Sequence, residues 1–142
     1  MERRKFIELS LASAGLGLVT PTLAQAKTAQ SVPGPSDVYY TKESLGRWVG
    51  KEATHLPVVE ITKAAGGTNV KIVTPHEMKA YEHYIVKHVL LDSHYKFMDE
   101  HLFDPTQDKM AQSSFTLKDY SGTVYVLSLC NKHDLWLASA QV

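Results

Sequence analysis

Seven histidines and a single cysteine stand out in a chain of 142 residues. They are His55, His76, His83, His88, His94, His101, His133 and Cys130. The cysteine ends the apolar run TVYVLSLC, and His133 follows three residues later, so one tight turn can bring both side chains together. Imidazole and thiolate together suit iron, copper or zinc. By itself the Cys130–His133 pair is a weak signal, since a lone buried cysteine is usually a small core hydrophobe. Three further histidines strengthen it. His55 lies just before a β-type run, and His76 and His83 lie in and after a loop that enters another. One cysteine cannot form an internal disulfide, so the fold must stand on its apolar core or on a metal.

The segments that must position these residues read as strands. LPVVEI (56–61) is β-branched, AAGGTN (64–69) is a hairpin turn, and VKIV (70–73) returns. HYIVKHVLL (83–91) is a longer strand, followed by a DS turn and by HYKFM (94–98). Residues 99–108 read as a loop. AQSSFTL (111–117), TVYVLSLC (123–130) and LWLASAQV (135–142) complete the set, with a DYSG turn at 119–122. TKESLGRWVG (41–50) offers at most a turn of helix, limited by Gly46. Short strands separated by turn signals predict an all-β antiparallel sandwich.

Composition bounds the partners. Fifteen basic and fifteen acidic residues balance, which excludes a long-range pull toward nucleic acid or anionic lipid. The N-terminal MERRKFIELSLASAGLGLVTPTLAQA carries Arg3-Arg4, a short apolar stretch over Leu9–Val19 and an Ala24-Gln25-Ala26 end. These are the parts of a secretory signal, and the paired arginines predict the twin-arginine (Tat) route to the periplasm. Residues 1–26 are therefore read as a signal peptide, 27–49 as a leader rich in Pro, Gly and small polar residues, and 50–142 as the domain. Cleavage after Ala26 leaves 142 − 26 = 116 residues, with no membrane segment expected in the mature form.

Four stretches carry a resemblance: His55-Leu56-Pro57, Pro75-His76, Glu82-His83-Tyr84-Ile85, and Cys130-Asn131-Lys132-His133-Asp134-Leu135-Trp136. Together they resemble the iron domain of the superoxide reductases (desulfoferrodoxin and neelaredoxin), whose segments read E-K-H-x-P, P-H-P, E-H-Y-I and C-N-x-H-G-x-W. The resemblance covers roughly residues 50–142; the rubredoxin-like module of desulfoferrodoxin, which needs four cysteines, is absent. It implies an immunoglobulin-like sandwich of about seven strands. It also implies one iron per chain, held by His55, His76, His83 and His133 in a square with Cys130 axial and the sixth position open. The implied activity is one-electron reduction of superoxide to hydrogen peroxide, fed by an external electron donor protein. Asn131 and Trp136 are expected to support the site, and a homo-oligomer is a further expectation from the family.

The departures are local. The family's glutamate and lysine before the first histidine are replaced by Ala53 and Thr54. Lys51 and Glu52 stand just upstream, out of register, as the catalytic candidates. Glu77 replaces a proline, Asp134 replaces a glycine, Lys132 takes a usually apolar position, and the His76–His83 spacing is one residue longer. If the glycine position needs a positive φ, aspartate is among the less costly substitutes.

An alternative function on the same fold is a periplasmic copper- or iron-binding electron carrier or metal handler without turnover. A type 1 copper site needs a methionine after its Cys and His, whereas the last methionine here is Met110. Zinc prefers four closed ligands. A metal-free sandwich leaves the motif cluster unexplained. His88, His94 and His101 are read as strand or surface histidines, and Trp48 as structural.

Overall fold

A computed structural model describes residues 37–142. The proposed signal peptide lies outside the described residues. Seven strands form two antiparallel sheets: β1 Val58–Ala64, β2 Gly67–Thr74, β3 Ile85–Leu91, β4 Phe97–Leu102, β5 Ala111–Leu117, β6 Thr123–Cys130 and β7 Asp134–Gln141. The three-stranded sheet has the order β1-β2-β5 and the four-stranded sheet β4-β3-β6-β7. The chain therefore changes sheet after β2, after β4 and after β5, the pattern of an immunoglobulin-like sandwich.

The buried faces follow from strict alternation. In β5, Ala111, Ser113, Phe115 and Leu117 point inward; in β6, Val124, Val126, Ser128 and Cys130 do so. Val70 and Ile72 of β2 and Phe115 and Leu117 of β5 pack against Leu90, Val124 and Val126 of the other sheet. Each such side chain contributes about 1.5–3 kcal/mol by leaving water. A second, smaller cluster of Ile85, Phe103, Ala111 and Cys130 lies at the other end of the sandwich.

The β1–β2 hairpin closes at Ala64 paired with Gly67, where the sequence places its turn. Gly67 has φ +133°, and a Cβ there would meet the Leu117 carbonyl oxygen at 2.5 Å, so a side chain is excluded on both counts. Two expectations are corrected. Residues 99–102, read as loop, continue β4, while 94–96 belong to the turn before it. β4 is an edge strand whose residues are mostly exposed, so it carries no apolar alternation; Lys87 of β3 instead pairs with Glu100 at 2.9 Å. His55 does not simply precede a strand but ends a one-turn helix, α1 Glu52–His55.

The segment before residue 50 joins the sandwich at Tyr40, which is fully buried. Its N–H donates to the Leu135 carbonyl and its own carbonyl accepts from Leu137, both in β7, at 2.9 and 2.8 Å. A 3₁₀ turn, Gly46–Trp48, then leads to α1.

Candidate metal centre

Five donors converge at one end of the sandwich. His55 comes from α1, His76 and His83 from the β2–β3 connection, Cys130 from the end of β6, and His133 from the β6–β7 turn. Their ligand atoms all lie within 4.8 Å of one another. Nε2 of His55 lies 3.0 Å from Nδ1 of His133; that atom lies 3.1 Å from Nε2 of His83, which lies 3.0 Å from Nε2 of His76. Successive nitrogens about 3.0 Å apart can both reach one ion at the usual metal–imidazole distance of about 2.1 Å.

The sulfur of Cys130 lies 3.6 Å from both His76 Nε2 and His133 Nδ1. The four histidines also line a pocket of about 370 Å³ with Lys51, Thr54, Pro75 and Glu77, and Cys130 is not among its lining residues. A somewhat larger groove of about 410 Å³, lined by residues such as Thr41, Pro57 and Leu137, contains no donor cluster.

Hydrogen bonds set the tautomers. Nδ1–H of His55 donates to the Lys51 carbonyl at 2.9 Å, and that of His76 to the Glu77 carbonyl. A carbonyl can only accept, so in both rings the lone pair is on the inward-facing Nε2. Nδ1 of His83 lies 3.3 Å from the Glu77 carboxylate, which favours the same arrangement. Burial pushes His55 down to about 4 and also lowers His76 and His133, with the neighbouring imidazoles adding to it. These rings are neutral at pH 7 and present lone pairs. Burial pushes the Cys130 thiol up, so a metal must displace its proton.

Of the two upstream candidates, Lys51 lines the pocket; Glu52 accepts from its own Gly50 N–H at 2.8 Å and is not among the lining residues. Asn131 ties two donor-bearing segments together. Its Oδ1 accepts from Tyr84 N–H at 3.0 Å, and its amide donates to the carbonyls of Tyr81 and Glu82 at 3.3 and 3.1 Å. Trp136 is fully buried, its ring 5.5 Å from that of His55, and its Nε1–H donates to the His133 carbonyl at 2.8 Å. Asp134 has φ +62°, as the glycine-replacing position suggested. Lys132 is exposed and does not line the pocket.

Three features escape sequence reasoning. Trp48 packs edge-on against the His133 ring at 4.7 Å. The Asp134 carboxylate accepts from Trp48 Nε1–H at 2.9 Å and from Arg47. These contacts join residues more than 80 positions apart, and no local spacing announces them. His88, read as a strand or surface histidine, is 0% exposed and lies between Thr74 and Ser113, each 2.8 Å from one of its nitrogens. His94 and His101 are exposed.

Comparison with known proteins gives a consistent picture. A family model described as Desulfoferrodoxin matches residues 48–139. A variant of superoxide reductase (neelaredoxin) from Ignicoccus hospitalis is 26% identical, with a TM-score of 0.62, covering 74% of this chain and 93% of that one. A reduced variant of superoxide reductase (neelaredoxin) from Archaeoglobus fulgidus shares the fold at 24% identity and TM-score 0.53, covering 65% and 90% of the two chains. Superoxide reductase from Nanoarchaeum equitans shares it at 18% identity and TM-score 0.52, covering 63% and 94%. No curated protein sequence matches. A family match over most of the domain, on a sandwich of the same architecture, means that the chain belongs to the desulfoferrodoxin family, the iron-binding family of the superoxide reductases.

Proposed function

We propose that this chain holds one iron ion at His55, His76, His83, Cys130 and His133 and reduces superoxide by one electron to hydrogen peroxide. The observation that carries the reading is the compact cluster of four imidazoles and one cysteine sulfur, with a pocket that the four imidazoles line. The donor set fits iron in chemistry as well as spacing: three of the imidazoles are held neutral by burial, and the thiolate adds one soft anionic donor. When bound, iron supplies the single electron. An external donor protein replaces it, and two protons from solvent complete the peroxide.

The chain's own groups do the rest. Binding iron would require the Cys130 thiol to lose its proton, and the thiolate would then supply electron density to the metal. Lys51 takes the place of the family's displaced cation: it lines the pocket, and its ammonium adds to the positive potential felt at His133. An anion entering this pocket is drawn by that charge. Glu52 is tied to Gly50 and does not line the pocket, whereas Glu77 does. Export through residues 1–26 by the twin-arginine route and work in the periplasm belong to the same reading, supported by Arg3-Arg4 and the Ala24-Gln25-Ala26 end. A homo-oligomer is supported only by family resemblance.

A second reading, an iron protein on the same site without turnover, is favoured by Ala53 and Thr54 in place of glutamate and lysine. No observation favours copper. Metal analysis and an optical spectrum of the oxidised protein, followed by timed exposure to superoxide, separate these outcomes. One iron per chain, a broad thiolate-to-iron band lost in Cys130→Ser, and stoichiometric peroxide without dioxygen release support the reductase. Iron with the band but no superoxide consumption leaves the carrier.

A further inference from the structure

Three of the four imidazoles have their outer nitrogen anchored: His55 on the Lys51 carbonyl, His76 on the Glu77 carbonyl, and His83 on the Glu77 carboxylate. His133 is built differently. It turns Nδ1 inward, toward His55, His83 and the sulfur. Among the described residues, no hydrogen-bond partner reaches its Nε2. Its backbone is fixed by Trp136, whose Nε1–H donates to the His133 carbonyl, but that bond does not set the ring's torsion. What bears on the ring from outside the cluster is Trp48, edge-on at 4.7 Å with an interplanar angle of 89°.

Trp48 is itself held. Its Nε1–H donates to Asp134 at 2.9 Å, and the Arg47 guanidinium lies 4.8 Å above its ring. The same Asp134 oxygen accepts from Arg47 and, at 3.5 Å, from the Tyr40 hydroxyl. Asp134 directly follows His133 and has φ +62°. Glycine satisfies that φ at least as well but offers no acceptor. The aspartate therefore does something glycine does not.

We propose that Asp134 is a positioning residue: its carboxylate holds the Trp48 indole against the outer side of the His133 ring, and so does for this donor what a hydrogen bond does for each of the other three. The inference rests on the metal-centre reading above. Supporting groups of this kind are worth 10–100-fold in metal affinity.

The test is anaerobic Fe(II) titration of the full chain against a competing chelator, with the thiolate-to-iron band recorded after oxidation. Asp134→Gly is chosen because it removes the acceptor and leaves the backbone unstrained. It should bind Fe(II) at least tenfold more weakly and shift the band, while the urea midpoint of the metal-free protein stays near the wild-type value. Asp134→Asn retains an oxygen acceptor for the indole at a φ that asparagine tolerates, and should recover most of the affinity. Trp48→Leu keeps apolar volume but loses the indole edge, and should match Asp134→Gly. Wild-type affinity in either Asp134→Gly or Trp48→Leu, or no recovery in Asp134→Asn, overturns the proposal. A wild-type protein that takes up no Fe(II) overturns the metal-centre reading itself, and this inference with it.

Discussion

Acidification should unfold this protein partly through one buried histidine that no metal touches. His88 sits in the middle of β3, 0% exposed, with Nε2 2.8 Å from the Thr74 hydroxyl and Nδ1 2.8 Å from the Ser113 hydroxyl. The Phe103 ring meets it edge-on at 4.9 Å. Among the described residues, His101 is the one charged neighbour that acts on it, and it disfavours the charged form. Burial holds its pKa down to about 3 from an ordinary 6.5. The sign follows directly. Below pH 6.5 the unfolded chain takes up a proton that the folded chain refuses until about pH 3, so stability is full above 6.5 and falls as pH falls. At about 1.36 kcal/mol per pH unit, the His88 share of the loss between pH 7 and pH 5 is about 2 kcal/mol. His55, His76 and His133 act in the same direction in metal-free protein, so the comparison must isolate His88. Urea unfolding of chelator-treated wild type and His88→Gln at the two pH values does so, because glutamine can bond both hydroxyls and does not titrate. The variant should lose about 2 kcal/mol less than wild type over this interval. Equal losses would show that the burial argument is wrong.

Other perturbations test different parts of the structure. Lys51→Met should leave iron content unchanged and slow superoxide consumption about fivefold at low ionic strength, with the gap closing in 1 M salt as screening shortens to about 3 Å; stopped-flow or pulse-radiolysis rates across a salt series check it. Asn131→Ala removes three hydrogen bonds between the Cys130–His133 turn and residues 81–84, and should cost about 1–3 kcal/mol in urea unfolding together with about tenfold or more in chelator competition for Fe(II). Thr74→Val strips both His88 Nε2 and Ser128 Oγ of a buried partner and should cost about 2–4 kcal/mol. Ser128→Ala, which leaves Thr74 bonded to His88, should cost about 1 kcal/mol, and the double variant less than the sum.

The legible parts of the fold are those where one face is buried. β5 and β6 coincide with the runs at 111–117 and 123–130 because every second residue there points into the core. Only the start of β4 falls within the run that reads as a strand at 94–98, and its residues 99–102 read as loop, because an edge strand with little covering it has no reason to alternate. The helical turn ending at His55 escaped because four residues carry no period. Of the cluster His55, His76, His83, Cys130 and His133, only the Cys130–His133 pair could be read from local spacing; the full set came from the resemblance of four short motifs to a known family. Glu77, Trp48 and Asp134 were noticed as departures or passed over as structural. Their roles depend on contacts between Trp48 and the β6–β7 turn, and between Glu77 and His83, that sequence spacing does not encode.

A centre whose donors come from a helical turn, two loops and the last residue of one strand must draw much of its rigidity from elsewhere, and the structure shows where. Thr74 is the last residue of β2, two before His76; Ser128 lies in β6, two before Cys130. These strands belong to opposite sheets, and the two hydroxyls meet at 2.7 Å. His88 of β3 and Ser113 of β5 extend the same chain of bonds, so four strands are stitched together directly beneath the donors. Apolar packing alone tolerates small sliding of one sheet on the other, because hydrophobic contacts are non-directional. A fully paired polar network does not, since any slide strands a buried donor or acceptor. No buried side-chain nitrogen or oxygen among the described residues lacks a partner, so the network is complete as it stands. The polar network at this end of the sandwich therefore resists sliding between the sheet that carries Cys130 and the sheet that His55 and His76 adjoin. It gives His88, which lies outside the donor cluster but bonds Thr74 and Ser113, a reason to be buried beneath it.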